Sequence, residues 1–268
     1  MSVPKFDTLE ITVFPNGVCE IAFNRPKVLN AFNPNAYQNW LSAIRWAKTA
    51  ESVKVVVFTG RGRFYSSGQE LAKQTDKNPK RGNEVKEIVD ELIEFPKLVI
   101  AAVNGPAYGI SVTTMALCDV AYCVPQATFT TPFMKLGFAA EGCSSYLFPK
   151  IMGHSRANEM LLMGRTFSAQ EMVEANMVSR IYPAEGFREK VLGLAGDATK
   201  FSSEAVATTK KLCRDELRET LLRVNEAEMA ALAIRVNSKD SIETVQRFAE
   251  EAERKRLEKQ KAKQQSKL

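Results

Sequence analysis

Apolar and polar residues alternate along the first hundred positions with two different periods. Runs with a period of two, at 9–14 and 18–23, flank the turn sequence PNG at 15–17 and predict a β-hairpin. Asn33 and Pro34 then predict the start of a helix, because asparagine caps unpaired backbone N–H groups and proline fits the first turn. The chain therefore opens with two strands followed by a helix.

Continuous apolar runs at 53–60 and 98–105 predict two buried strands, and the segment between them predicts a helix at 83–95 that stops before Pro96. Strand, helix and strand in succession predict a layered α/β core. Apolar residues recur at helical spacing in both helices, and they are Tyr37, Leu41, Ile44, Val85, Ile88, Val89, Leu92 and Ile93.

The carboxy-terminal quarter is predicted to be mostly helical. Glycine is absent after about residue 200, and leucine and valine recur at helical intervals. Upstream of it, Ser168 and Glu171 have the spacing of a capping box, which we interpret as a purely structural helix start. The periodic residues are Leu212, Leu217, Leu221, Val224 and Leu232.

Length and composition are those of a globular protein with one sizeable core. The 268 residues are 45% hydrophobic and 25% charged, and no apolar run is long enough to span a membrane. The amino terminus has no secretion pattern, so we expect a protein that stays inside the cell. Five cysteines without a CxxC pair favour reduced thiols over disulfides or zinc, and we expect no metal.

A formal net charge of +6 could favour an anionic partner. Much of the excess lies in RKRLEKQKAKQQSKL at 254–268, which is typical of a solvated helix that frays into a tail. No zinc finger, Walker loop or aromatic RNA-binding signature accompanies it. Nucleic-acid binding is therefore not expected.

Two strand-to-helix junctions, at 58–71 and 104–119, each contain a glycine-bearing turn. Backbone N–H groups at a helix start have no partner inside the helix, and small residues let a ligand oxygen approach them. Two such turns without a phosphate-loop spacing suggest a pair of donors aimed at one carbonyl oxygen. Two ordinary tight turns are the alternative, which the pattern by itself slightly favours.

Glu141 is the only carboxylic acid in LGFAAEGCSSY at 136–146, and a carboxylate is costly to bury unless its charge is used. Its apolar neighbours at 138–140 are expected to raise its pKa toward neutrality, which suits a group that accepts and donates a proton. Alternatively, Glu141 and Gly142 could cap a helix that begins at Ser144. The residues alone divide these two interpretations evenly.

Five segments together resemble the enoyl-CoA hydratase/isomerase (crotonase) superfamily, over roughly residues 8–258. Among the members of this superfamily, the sequences AEGCSSY and NGPAYGIS are most similar to those of the peroxisomal delta-3,delta-2-enoyl-CoA isomerases. The segments are NRPKVLNAFN (24–33), FYSSGQEL (64–71), NGPAYGISVTTMALCD (104–119), TFTTPFMKLGFAAEGCSSYLFPKIMG (128–153) and AQEMVEANMV (169–178).

The resemblance implies an α/β fold, a spiral of ββα units with a carboxy-terminal helical region that assembles trimers or hexamers. The spiral core with the active site is expected at 1–198 and the helical trimerisation region at 199–258. A basic tail would follow at 259–268. The implied ligand is an acyl-CoA, whose CoA is part of the substrate, so no separate cofactor is expected.

The resemblance also implies roles for individual residues. The backbone N–H groups of Gln69, after Gly68, and of Ile110, after Gly109, would hold the thioester carbonyl oxygen. Glu141 would act as the single acid/base that moves the double bond from position 3 to position 2. The remaining substrate contacts expected are Lys27, Val28, Asn30, Ala31 and Ser67 near the adenine and Phe133 at the acyl pocket, whereas Phe64 is expected in the core.

Positions at which this sequence differs from other members of the superfamily distinguish among the reactions that the superfamily catalyses. Hydratases of the superfamily use two glutamates to place water, and the matching positions here are Thr113 and Phe133. Dienoyl-CoA isomerases use an aspartate at the position of Glu141 and fit less well. The isomerase is therefore expected. The alternatives are a 2-enoyl-CoA hydratase, or a non-catalytic acyl-CoA-binding or RNA-associated protein.

Two remaining features concern location and the single histidine. The final residues Ser266, Lys267 and Leu268 match the tripeptide read by the peroxisomal import receptor, which predicts a location in the peroxisomal matrix. A catalytic Ser-His-Asp triad would require a serine in a GxSxG motif, which the sequence does not contain. We therefore expect His154, the single histidine, to be structural or solvent-exposed.

Overall fold

The computed structural model describes residues 2–70 and 83–265. Its strands are β1 Leu9–Val13, β2 Val18–Phe23, β3 Val55–Gly60, β4 Leu98–Val103, β5 Ala107–Tyr108, β6 Val120–Cys123, β7 Thr128–Thr130, β8 Phe167–Ser168 and β9 Arg180–Ile181. Its helices are α1 Pro34–Thr49, α2 Glu84–Ile93, α3 Ile110–Thr113, α4 Phe133–Leu136, α5 Ser144–Met152, α6 His154–Leu161, α7 Ala169–Glu174, α8 Phe187–Ala198, α9 Ser203–Val236 and α10 Lys239–Gln265.

The described strands form two sheets. The larger has the order β1-β2-β3-β4-β6-β9, in which only the β1–β2 pair is antiparallel. The smaller has the order β5-β7-β8. Parallel strands bury both faces, and β2 and β3 are buried along their whole length. The predicted α/β fold with a helical carboxy-terminal region is confirmed.

Local sequence signals agree with the structure at three places. The hairpin turn closes through the Phe14 N–H, which donates to the Val18 carbonyl (2.8 Å). The Asn33 side chain caps α1 by accepting from the Ala36 N–H (2.8 Å). Both bonds of the capping box at Ser168 are present. The five cysteines are free, and Cys19, Cys123 and Cys143 are buried.

An aromatic cluster joins α1 to the first strands of the large sheet. Phe23 meets Phe32 and Trp40 edge-on, with ring centroids 5.0 and 5.2 Å apart. Tyr65 packs edge-on against the same Phe23 ring at 5.4 Å. Such pairs add to the stabilisation from buried apolar area. Through Tyr65, the cluster therefore anchors the loop after β3 against β2 and α1.

Glu20 in β2 is a buried charge with two cationic partners. Its carboxylate, 1% exposed, accepts hydrogen bonds from Arg61 (2.9 Å) and Arg188 (2.7 Å). Burial disfavours the charged form, but the hydrogen bonds from Arg188 and Arg61 outweigh it, so the pKa of Glu20 is lowered. The network ties β2 to the loop after β3 and to α8.

Replacing Glu20 by glutamine is expected to lower the free energy of unfolding at pH 7 by about 3 kcal/mol, because two arginines lose a buried anionic partner. Since the pKa is lower in the folded state, this stability is present above the ordinary value of 4.5 and is lost as pH falls through the folded pKa. Urea unfolding of wild type and Glu20→Gln at a series of pH values from 7 downward measures the difference in their free energies of unfolding. Equal free energies at pH 7 would rule out this role.

The structure differs from the sequence predictions at two side chains. Phe64, expected in the core, is half-exposed and stacks on Tyr108 at 6.3 Å, while its neighbour Tyr65 is the buried residue. Leu212, on the predicted stripe of α9, is 77% exposed, whereas Leu221 and Leu232 are buried. A 34-residue helix is longer than the core it packs against, so periodicity alone overstates its buried face.

The predicted trimer stays a prediction.

The basic segment after residue 254 continues α10 as helix to Gln265. The targeting residues Ser266, Lys267 and Leu268, and the helix start predicted after residue 70, lie outside the described residues. Within the described ranges, no helix combines the length and apolarity that crossing a membrane requires.

Candidate active site

The loop after β3, residues 61–69, is fixed by Asn30. The Asn30 side-chain amide donates to the carbonyl oxygens of Arg61 (2.9 Å) and Phe64 (2.8 Å), and its oxygen accepts from the Arg25 N–H. Asn30 is buried and has a positive φ of 56°. Its polar groups are therefore used within the protein, where they position the loop.

The end of this loop presents Gln69. The Phe32 N–H donates to the Gly68 carbonyl (2.8 Å), and the Glu70 N–H donates to the Phe32 carbonyl (2.9 Å). Peptide groups of successive residues in an extended segment point to opposite sides, so the Gln69 N–H faces away from Phe32. In the part of the chain that the structure describes, this N–H donates to no other backbone group.

Ile110 follows β5 and Gly109, and it lines the same cavity as Gln69. The Gly109 N–H donates to the Thr130 carbonyl (2.8 Å), and Ile110 is the first residue of α3. A helix start leaves its first N–H groups without a partner inside the helix. Among the described residues, the Ile110 N–H likewise donates to no backbone group.

The two loops approach so closely that Gly68 cannot carry a side chain. Its φ is +77°, and a Cβ there would lie 2.8 Å from the Tyr108 carbonyl oxygen. A substitution would push one loop away from the other, because both strain and a clash with rigid backbone oppose it. The glycine therefore sets the spacing between the two donors.

One cavity of about 270 Å³ is lined by Gln69, Ile110 and Glu141. It brings together the expected residues Ser67, Gly68, Gln69, Gly109, Ile110, Phe133 and Glu141. It also contains residues that the sequence did not indicate, which are Tyr108, Thr130, Pro132, Lys135, Leu136, Phe138, Thr166, Leu232 and Phe248. Since the last two lie on α9 and α10, the cavity extends beyond residues 1–198.

Glu141 is half-buried and lines this cavity, at the end of an irregular segment between α4 and α5. The sequence left open whether it caps the helix that begins at Ser144. The N-terminus of that helix is instead capped by Glu228 of α9, which accepts from the Cys143 N–H (2.7 Å) and the Ser145 N–H (2.9 Å). Glu141 also meets this helix start, through its backbone carbonyl, which accepts from the Ser144 N–H (3.3 Å) and the Ser144 hydroxyl (2.7 Å).

Burial raises the pKa values of two groups beside the Glu141 segment, Glu228 and Cys143. Burial raises the pKa of Glu228, while hydrogen bonds from Ser145 and Cys143 oppose the rise. Burial also raises the pKa of the Cys143 thiol to about 12, so this cysteine is an uncharged, unreactive group next to the site. No cluster of three metal-binding side chains occurs within the described ranges.

The two positions at which hydratases carry glutamates contain no acid. Thr113 is fully buried, and its hydroxyl donates to the Ile110 carbonyl (3.2 Å). A Cβ on Gly142 would lie 2.4 Å from the Thr113 hydroxyl, so Thr113 stands directly beside the Glu141 segment. Phe133 is buried and belongs to the core as well as to the cavity wall.

The remaining expected contacts lie on a neighbouring turn. Lys27 and Val28 are exposed, Ala31 is buried, and none of them lines the cavity. The turn reaches the cavity rim through the Ser67 N–H, which donates to the Leu29 carbonyl (2.9 Å). His154 is exposed on α6 and bonds to Asn158, as expected for a residue outside the site.

Comparison with known proteins agrees with the resemblance. The profile of the enoyl-CoA hydratase/isomerase family matches residues 13–258. Human enoyl-CoA delta isomerase 2 is 39% identical over 251 residues, which cover 91% of this chain and 63% of that protein. The chain thus spans less than two thirds of this relative's length.

Two further proteins extend the comparison. Mouse enoyl-CoA delta isomerase 3, peroxisomal, is 36% identical over 240 residues, which cover 87% of this chain and 75% of that protein. A crystal structure of an enoyl-CoA hydratase/isomerase from Pseudoalteromonas atlantica T6c superposes with a TM-score of 0.86 at 26% identity. The superposition covers 91% of this chain and 98% of that one.

Proposed function

The chain belongs to the enoyl-CoA hydratase/isomerase family, and we propose that it shifts the double bond of a 3-enoyl-CoA, cis or trans, to the trans-2 position. The observation that carries this proposal is the cavity that Glu141, Gln69 and Ile110 line together. The similarity to enoyl-CoA delta isomerases supports the same reaction. In this role the protein would serve the β-oxidation of unsaturated fatty acids.

The two N–H groups would act on the thioester carbonyl oxygen. Removing a proton from C2 moves negative charge onto that oxygen and forms an enolate. Fixed donors in a partly dry cavity stabilise the enolate more than the starting carbonyl, which lowers the barrier to proton removal. Because the donors belong to the main chain, glutamine at position 69 leaves them intact.

Glu141 would carry the proton. Its carboxylate takes a proton from C2, the electrons rearrange through the enolate, and the same carboxyl returns a proton to C4. One acid/base that serves both carbons suffices for this shift. Hydration would require a second acid to place water, and Thr113 and Phe133 provide none.

The proposal is tested by supplying the purified protein with 3-enoyl-CoA and, separately, with 2-enoyl-CoA. Absorbance of the conjugated thioester should rise with the first substrate and stay constant with the second. A fall with 2-enoyl-CoA would indicate the hydratase, and no change with either would favour a non-catalytic binder.

We also propose a peroxisomal location, which the name of the mouse relative supports. Fluorescence microscopy of the tagged chain beside a peroxisomal marker measures it. Co-localisation is expected, with release into the cytosol when Ser266, Lys267 and Leu268 are removed. Cytosolic fluorescence of the intact chain would contradict the proposal.

A further inference from the structure

The Glu228 carboxylate of α9 binds the backbone immediately after Glu141, at the start of α5. It is 6% exposed, and it accepts from the Cys143 N–H (2.7 Å), the Ser145 N–H (2.9 Å) and the Ser145 hydroxyl (2.5 Å). A carboxylate at a helix N-terminus is stabilised by the unpaired N–H groups and by the helix dipole. Although 85 residues separate Glu228 from Cys143, the two are bonded directly.

The backbone between Glu141 and α5 needs this support. Gly142 and Cys143 both have left-handed backbone angles, with φ of +69° and +60°. Such a conformation is unfavourable for a residue with a side chain and persists only where neighbouring contacts hold it. The Cys143 carbonyl accepts from the Leu147 N–H (2.8 Å) of α5, while its contacts with α9 are the bond to Glu228 and a weaker one from its thiol to the Leu221 carbonyl (3.4 Å).

The other end of the same segment is bonded to α9 and α10. The Gly137 carbonyl oxygen accepts from Arg235 Nε (3.0 Å) and from the Ser241 hydroxyl (2.5 Å). Ser241 is fully buried, and a Cβ on Gly137 would lie 3.0 Å from its Cα. Residues 137–143 are thus held at both ends by the carboxy-terminal helices.

We infer that Glu228 and Ser241 are positioning residues, which fix the two ends of segment 137–143 so that Glu141 meets the substrate at the required distance. This inference rests on the proposed isomerase reaction. It assigns to Glu228 on α9 and Ser241 on α10 a function in catalysis within one chain, through contacts with the backbone of this segment, because neither residue lines the cavity.

The main test is Glu228→Gln, which keeps the shape of the side chain. The amide presents an NH₂ group where the carboxylate had an oxygen, so one of the two backbone N–H groups faces a donor. We expect kcat to fall about 10- to 100-fold, since a misplacement on the order of 1 Å has that effect. KM and the affinity for a saturated acyl-CoA should stay within about twofold, because the two N–H donors are unchanged.

Two controls separate positioning from general effects. Glu226→Gln makes the same chemical change on the same helix at a side chain that is 69% exposed, and kcat should remain at the wild-type value. Asp119→Asn weakens the buried contact of α9 with the sheet through Lys210 (2.7 Å) without lining the cavity. It should lower thermal stability while leaving kcat unchanged.

Ser241→Ala tests the other end of the segment, at Gly137. It provides the test of the inference if Glu228→Gln does not fold. It removes one hydrogen bond to Gly137 and should lower kcat several-fold, again with KM unchanged. Hydrogen exchange measured by mass spectrometry should be faster across residues 137–145 in both variants, and unchanged in Glu226→Gln.

The outcomes are distinct. Wild-type kcat in folded Glu228→Gln and Ser241→Ala, or a loss of substrate affinity with kcat unchanged, would overturn the inference while the isomerase function stands. Equal losses of kcat in Asp119→Asn and Glu228→Gln would also overturn it, because stability would then explain both. A wild type that does not convert 3-enoyl-CoA would overturn the proposed function and, with it, the inference.

Discussion

Replacing Glu141 by glutamine is expected to lower the rate of conversion of 3-enoyl-CoA to 2-enoyl-CoA by about 10⁴-fold, the upper range for loss of a general acid/base. Glutamine has nearly the same shape as glutamate but can neither accept the C2 proton nor return one to C4. No other carboxylic acid lines the cavity within the described residues. The measurement is the absorbance of the conjugated thioester at saturating substrate.

Folding and ligand affinity provide the controls for this variant. The bonds from Ser144 go to the backbone carbonyl of Glu141, which the substitution keeps, and Glu228 caps α5, so circular dichroism and thermal unfolding should match the wild type. Binding of a saturated acyl-CoA should change by less than about twofold, because the two N–H donors remain. Turnover within tenfold of the wild type would exclude Glu141 as the acid/base.

Removing the Ile110 N–H is expected to have the second largest effect. Ile110→Pro deletes this donor, and proline is tolerated at the first position of a helix, where Ile110 lies. Loss of one such donor lowers kcat by about 10²- to 10³-fold in other enzymes. Because the N–H donates to no backbone group in the described part of the chain, its removal breaks no backbone hydrogen bond there.

Ile110→Val is the matched control, since it keeps the N–H and has nearly the same volume as proline. Its kcat should remain close to the wild-type value. Equal activity of Ile110→Pro and Ile110→Val would mean that this N–H does not stabilise the enolate. Loss of folding in Ile110→Pro would be detected by circular dichroism before any rate is compared.

Much of the fold follows from local signals in the sequence. The hairpin, the caps at Asn33 and Ser168 and the buried strands depend on neighbours close in the chain, where pattern and propensity act. The two glycine-bearing loops suggested a donor pair, although the pattern by itself slightly favoured two ordinary tight turns. That these loops meet depends on the order of β3 and β4 in the sheet, which local patterns do not specify.

The contribution of α9 and α10 to the cavity could not be predicted. Leu232 and Phe248 have the spacing of ordinary core residues, and Glu228 resembles any charged residue of a helix surface. Their roles arise from contacts between segments some 80 to 110 residues apart, which no periodicity encodes. Phe64 shows the converse, since an aromatic residue expected in the core lies half-exposed because Tyr65 takes the buried position.

Glu141 is proposed to remove the C2 proton while the backbone amides of Gln69 and Ile110 hold the enolate. The decisive experiment supplies 3-enoyl-CoA deuterated at C2 to wild type and Glu141→Gln and follows the label by NMR. With wild type, one deuterium should leave C2 and be found at C4 of the product or in the solvent, because the carboxyl either returns it to C4 or exchanges it with water. With Glu141→Gln the label should stay at C2 apart from the uncatalysed loss, and loss from C2 at the wild-type rate would show that another group is the base.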